Sequence, residues 1–112
     1  MSDLTFIERN KLERLFNMGG GYVLDFSNRT FQEFVTDSVG LDIYSDTYEY
    51  MSGSKANRLR AFWTQEPNHI AGKLINNLLD YCEEYKTSKE EHALHQSCRQ
   101  IAERLLQNAP VI

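Results

Sequence analysis

Three residues of the last third, His92, His95 and Cys98, are of types that bind zinc. Their spacing disperses them. At about 100° per helical residue, and taking Leu94 as the core direction, Cys98 points about 40° away, His95 about 100° and His92 about 160°. The trio runs from buried to solvent-facing, so no metal is expected there. Asp25, Asp37, Asp42 and Asp46 are acids without the spacing of a metal site or an acid/base pair. No nucleophile motif of the Gly-x-Ser-x-Gly kind appears. Gly19-Gly20-Gly21 could cradle a phosphate, but lacks the Gly-Lys-Ser/Thr of a P-loop and the spacing of a dinucleotide fingerprint. A sharp turn is the expectation instead. Neither catalysis nor a cofactor is expected of this chain.

Two polar segments carry more promise as binding sites. Ser52-Gly53-Ser54-Lys55-Ala56-Asn57-Arg58-Leu59-Arg60 is a Gly/Ser turn leading into a basic helix start, a pattern that can hold an anion. Ser54, Lys55, Arg58 and Arg60 are its candidate residues. Lys55 and Arg58 share a helix face, and Arg60 lies about 160° from Arg58. The plain alternative is a solvated helix flank paired with acids. The second segment, from Leu41 to Gly53, has no helical period and holds Tyr44, Tyr48 and Tyr50. Tyrosines are enriched at interface anchors, so these three are the candidate partner-binding residues. Packing onto the domain's own core is the competing expectation.

The elements that must position these groups follow from capping and periodicity. Thr5 with Glu8 is a capping box, which starts a first helix near Phe6 and carries it to about Met18, with Ile7, Leu12, Leu15 and Phe16 on its apolar side. Tyr22–Phe26 is β-prone. Ser27, Asn28 and Thr30 are all good caps, and Thr30 with Glu33 predicts a second helix from Thr30 to about Val39, ended by Gly40. A long ordered loop with a short strand at Leu41–Ile43 comes next. Ser54 caps a third helix, Lys55 to Thr64, and Pro67 separates it from a fourth, Asn68 to about Tyr85. That helix carries a broad apolar face that includes Ile70, Leu74, Leu78 and Cys82. Ser88 with Glu91 caps a fifth helix, to about Gln107, with a seam of Leu94, Cys98, Ile101 and Leu105. The last two helices predict an antiparallel hairpin. Cys82 and Cys98 are then offset by about 9 Å along it, beyond disulfide reach, and both are expected to be core thiols.

Composition agrees with a folded, soluble domain. The chain has 112 residues, 41% hydrophobic and 12% aromatic, and a net charge of −4. That balance argues against a protein coating nucleic acid or anionic lipid over its whole surface. The start Met-Ser-Asp-Leu-Thr does not read as a signal peptide and no apolar run reaches membrane-spanning length, so with two cysteines the expectation is free thiols in a reducing cytoplasm.

Gly21-Tyr-Val-Leu-Asp-Phe-Ser-Asn-Arg-Thr-Phe31, Gly53-Ser-Lys-Ala-Asn-Arg-Leu-Arg-Ala-Phe62, and then Glu66, Pro67, Gly72, Lys73 and Leu74 form a combined pattern. It resembles the N-terminal helical module of bacterial abortive-infection (Abi) family proteins, over roughly residues 10–85. The resemblance implies a role in anti-phage defence, with a small helical region ahead of a C-terminal effector that is often a HEPN-type ribonuclease. No Arg-x-x-x-x-His motif is present here, since neither Arg99 nor Arg104 is followed by such a histidine. The resemblance therefore implies a sensing or docking module without its effector, and it carries over no catalytic residues.

The expectation is an all-α single domain over residues 1–112, about five helices in a compact bundle with a C-terminal hairpin. There is room for one short β-pair between Tyr22–Phe26 and the 41–50 loop. Its expected work is non-enzymatic, in the cytoplasm, binding a protein partner or effector domain. Binding of nucleic acid or a nucleotide by the 53–60 segment ranks second. One hairpin partner can cover the helix-five seam, but the apolar tail Ala109-Pro110-Val111-Ile112 is expected to fold back on the domain, to join a following domain or, the favoured expectation, to bury against a second copy in a two-fold dimer.

Overall fold

The computed structural model describes residues 2–83 and 89–107. Five α-helices follow one another: α1 (Phe6–Leu15), α2 (Asn28–Val39), α3 (Lys55–Gln65), α4 (Asn68–Cys82) and α5 (Lys89–Leu106). Short 3₁₀ turns at Met18–Gly20 and Asp46–Tyr48 interrupt the two long connections. Among the described residues there is no strand, so no β-pair forms between Tyr22–Phe26 and the loop. The Ser88 cap, Tyr85, the turn near Thr87 and the 109–112 tail, with the dimer contact expected of it, lie outside the described residues.

Caps set most of the helix starts. The Thr5 hydroxyl accepts from the Glu8 N–H at 3.2 Å, while the Glu8 carboxylate accepts from the Thr5 N–H at 2.9 Å. The second helix begins two residues earlier than the Thr30–Glu33 pairing predicts. Ser27 is the N-cap, accepting from the Thr30 N–H at 3.1 Å, and the Thr30 hydroxyl answers the Ser27 N–H at 2.9 Å. Threonine here serves as the third helical residue of the box. Gly40 closes α2 at φ +72°, the left-handed conformation that favours glycine.

Packing divides the work among the helices. The α4–α5 hairpin is the most extensive contact, with α1 laid on α5 and α2 on α4. Its closest approach is at Gly72. A β-carbon there would sit 2.8 Å from Leu105 Cβ, 3.1 Å from the Leu106 nitrogen and 3.2 Å from the Ala102 oxygen. Two of those neighbours are backbone, so α5 cannot yield locally. The buried face of α5 is His95, Cys98, Ile101, Ala102 and Leu105, with Leu94 only partly covered. Cys98, Ile101 and Leu105 of the expected seam are thus buried, and the seam is widened by His95 and Ala102 while Leu94 sits at its edge. His95 is inside because its Nε2 donates to the Leu79 carbonyl at 2.9 Å. That carbonyl is in the last turn of α4, where it also accepts from the Cys82 thiol at 3.6 Å. Cys82 and Cys98 are both buried and free. Burial, with the Cys82 thiol second, pushes the Cys98 thiol up to about 12.

The connector from Met18 to Phe26 alternates buried anchors with exposed residues, Tyr22 among the latter. Met18, Val23 and Phe26 are in the core, and the Phe26 ring stacks on Tyr81 at 4.5 Å. Ile7, expected on the apolar side of α1, is instead 66% exposed. Leu12 and Phe16 take the inward positions. On the flank facing α5, Glu8 is tied to Arg104, and the Lys11 ammonium bonds the Ser97 hydroxyl.

Candidate functional site

Each arginine of the basic segment is spent on holding the fold. Arg58 points under the irregular 41–54 connection. Its Nη1 donates to the carbonyls of Ile43 and Ser45, at 3.1 Å each, and its Nε to the Gly53 carbonyl at 3.2 Å. The Tyr44 ring covers the guanidinium at 4.9 Å. One side chain thus satisfies three backbone oxygens of a loop that has no ladder to satisfy them. Arg60 turns the other way, as its angular offset requires. It grips Glu13 of α1 with Nε at 3.1 Å and Nη2 at 2.7 Å, and donates to Asn57 at 2.9 Å.

The start of α3 is occupied as well. Ser54 is its N-cap, accepting from the Asn57 N–H at 3.2 Å. The Ala56 N–H goes to the Gly21 carbonyl at 3.0 Å. The glycine run therefore presents an oxygen to this helix, the opposite of a phosphate cradle. Lys55 donates to Asn28 Oδ1 at 3.1 Å and stands over the Tyr22 ring at 5.0 Å. Ser54, Lys55, Arg58 and Arg60 are thus near in sequence, but they face three different structural partners.

The three tyrosines also separate. Tyr44 is half-buried and bonds Asn28 Oδ1 at 3.0 Å. Tyr48 is 4% exposed, packed on Phe62 with its hydroxyl donating to Glu66 at 2.8 Å. Burial first, then the Glu66 carboxylate, pushes the Tyr48 phenol well above its usual range. Only Tyr50 stands out, at 48% exposure. It opens a tight turn closed by the Gly53 N–H on the Tyr50 carbonyl at 3.0 Å. Met51, next in that turn, has φ +53° and is 80% exposed. A long apolar side chain held in the left-handed region and out in water costs on the order of 1–2 kcal/mol that Asn or Gly would avoid.

Tyr50 borders an open groove of about 510 Å³. On α1, Phe6, Arg9, Asn10 and Glu13 fall at i, i+3, i+4 and i+7 and make one side of it. Glu49 and Tyr50 make the other. Between them, α3 supplies Arg60, Ala61, Trp63 and Thr64, with the Arg60–Glu13 pair fixing α1 to α3. Trp63 is fully buried, so it gives the floor rigidity. Phe6 is 71% exposed and faces the same space. The groove thus has an aromatic residue on each side above a rigid base.

Sequence reasoning reached Tyr50 and missed Phe6, Arg9 and Glu49. The i, i+3, i+4, i+7 spacing from Phe6 was the available signal, masked because Phe6 also starts the helix. Among the described residues no helix is long and apolar enough to cross a membrane, and no group of three metal-binding side chains comes together. No protein-family model, curated protein or solved structure matches the chain.

Proposed function

We propose that this chain is a non-enzymatic protein-interaction module, and that its partner docks in the groove between α1 and α3. The carrying observation is the pair of exposed aromatics, Phe6 and Tyr50, on opposite sides of a groove with a rigid floor. Large aromatics that protrude into a desolvatable cleft are the residues that anchor protein interfaces. The resemblance to the abortive-infection N-terminal module supplies the setting: a bacterial cytoplasmic defence system, with this domain as its sensing or docking part. The two free thiols, Cys82 and Cys98, are both shielded in the core, and burial holds the Cys98 thiol protonated.

A nucleic-acid or nucleotide site on Ser54, Lys55, Arg58 and Arg60 would have to work with donors already engaged. Arg58 and Arg60 are committed to carbonyls and to Glu13, which leaves Lys55 beside Tyr22 as the accessible cation.

The test is a pull-down from the native host using the wild type and a Phe6→Ala/Tyr50→Ala double variant. The double variant is expected to lose the captured protein while keeping its melting temperature, because both side chains are largely exposed. Equal capture would overturn the proposal. Salt-sensitive binding of single-stranded RNA or DNA, abolished by Lys55→Ala, would instead favour the nucleic-acid role.

A further inference from the structure

The two sides of the groove differ in charge as well as in origin. The α1 side offers Phe6 and Arg9, an aromatic with a cation one turn later. The loop side offers Glu49 and Tyr50, an anion beside an aromatic. Arg60 and Glu13 neutralise each other across the floor at 2.7 Å. Neither Arg9 nor Glu49 makes a side-chain hydrogen bond or ion pair among the described residues, although every other arginine that lines this groove or ties α1 down has one. The surface therefore carries one uncompensated charge of each sign, each next to an exposed aromatic.

Such a surface is complementary to itself. In a two-fold dimer the same patch serves both copies, so that residue i of one meets residue j of the other and the reverse contact comes with it. Rotating a second copy onto the groove can set Arg9 against Glu49 of its twin, twice, and Phe6 against Tyr50 of its twin, twice. A partner of one net charge would match only one side and leave the other charge facing its like. We infer that the groove is closed over by a second copy of this chain, in a symmetric dimer held by two Phe6–Tyr50 contacts and two Arg9–Glu49 pairs. This rests on the groove being a protein-binding surface and names its occupant.

Charge reversal tests it cleanly. Sedimentation velocity over a concentration series is run on the wild type, Arg9→Glu, Glu49→Arg and the double reversal. The wild type is expected to dimerise. Each single reversal sets like charges together at both symmetric contacts and should raise the dimer dissociation constant about tenfold or more. The double reversal, in one chain, restores both pairs and should restore the dimer. Phe6→Ala is an independent variant at an exposed site, expected to weaken the dimer without charge change; it stands in if a reversal unfolds the chain. A wild type that is monomeric throughout, or a dimer indifferent to Arg9→Glu, Glu49→Arg and Phe6→Ala, overturns the inference. So does a double reversal that fails to recover. A monomer that still loses its host partner on Phe6→Ala/Tyr50→Ala defeats only self-pairing, whereas undiminished capture by that double variant defeats the interaction role itself.

Discussion

Helices α4 and α5 and the 41–54 connection are held in place by different means. The hairpin is held by apolar surface at close range, with Gly72 letting the α5 backbone approach to near contact and Leu74, Leu78, Cys98 and Leu105 filling the space around it. Its stabilisation is spread over many side chains, with Arg99 clasping Asn76 and Asp80 and His95 bonding the Leu79 carbonyl at its polar edge. The connection buries only Ile43 and Tyr48 and has no regular ladder. Besides its own short turns, it is tied to α3 by one guanidinium under three carbonyls and, midway along, to Glu66 by the Tyr48 hydroxyl. Packing tolerates loss of a part and resists insertion. A polar hub behaves in the reverse way, since removing one side chain releases every group it served.

The sharpest break of this contrast is Gly72→Val. The added carbons meet backbone of α5, so the helices must part, at a cost of about 3 kcal/mol. Thermal denaturation should show a melting temperature lower by about 12 °C for a domain of this size. Next comes Arg58→Ala, which unpairs three loop carbonyls at once and should cost about 2 kcal/mol in urea denaturation. Arg58→Lys should recover less than half of that, because an ammonium cannot fork between three oxygens. Hydrogen exchange should then quicken within 43–53 and leave α4 and α5 protected.

The smallest expected effect is Tyr48→Phe, which removes one bond to Glu66 and should cost about 1 kcal/mol near neutral pH. Its pH dependence identifies it. The phenol is raised in the folded chain by burial and then by Glu66, so its contribution is complete below the unfolded value near 10. Above that pH the unfolded chain ionises first, and the wild type loses stability as pH rises towards the folded value. Tyr48→Phe lacks this loss, so the gap between the two should shrink above about pH 10. The Cys98 thiol adds an alkaline slope of its own, common to both proteins, which cancels in the comparison.

The hairpin was legible in the sequence because periodicity reports apolar burial. Leu74, Leu78 and Cys82 recur at helical spacing, and Gly40, Pro67 and the Thr5–Glu8 box punctuate the chain with local rules. The errors there were small and local: a cap displaced from Thr30 to Ser27, and a seam widened by His95 and Ala102 with Leu94 at its edge. The connection was not legible, because a hub like Arg58 has no period. Arginine at position 58 reads as a binding residue until its three carbonyl partners are placed around it, and they come from positions up to 15 residues away. The groove shares that difficulty. Tyr50 could be singled out by type, but Phe6 meets it only through the fold, and Ile7 beside it broke the expected apolar side of α1.

Arg104 of α5 donates to Asp3 and to Glu8, both at 2.7 Å, across 101 and 96 positions of sequence. On a nascent chain the first helix therefore emerges long before the helix that fastens it. Closing so long a span costs on the order of 2 kcal/mol more than closing one of ten residues. That tie has the longest span of the bonds that fasten α1, and the α1 side of the groove is held by it together with the Glu13–Arg60 pair, 47 positions apart. Any partner that reads this surface reads ties drawn from both ends of the chain.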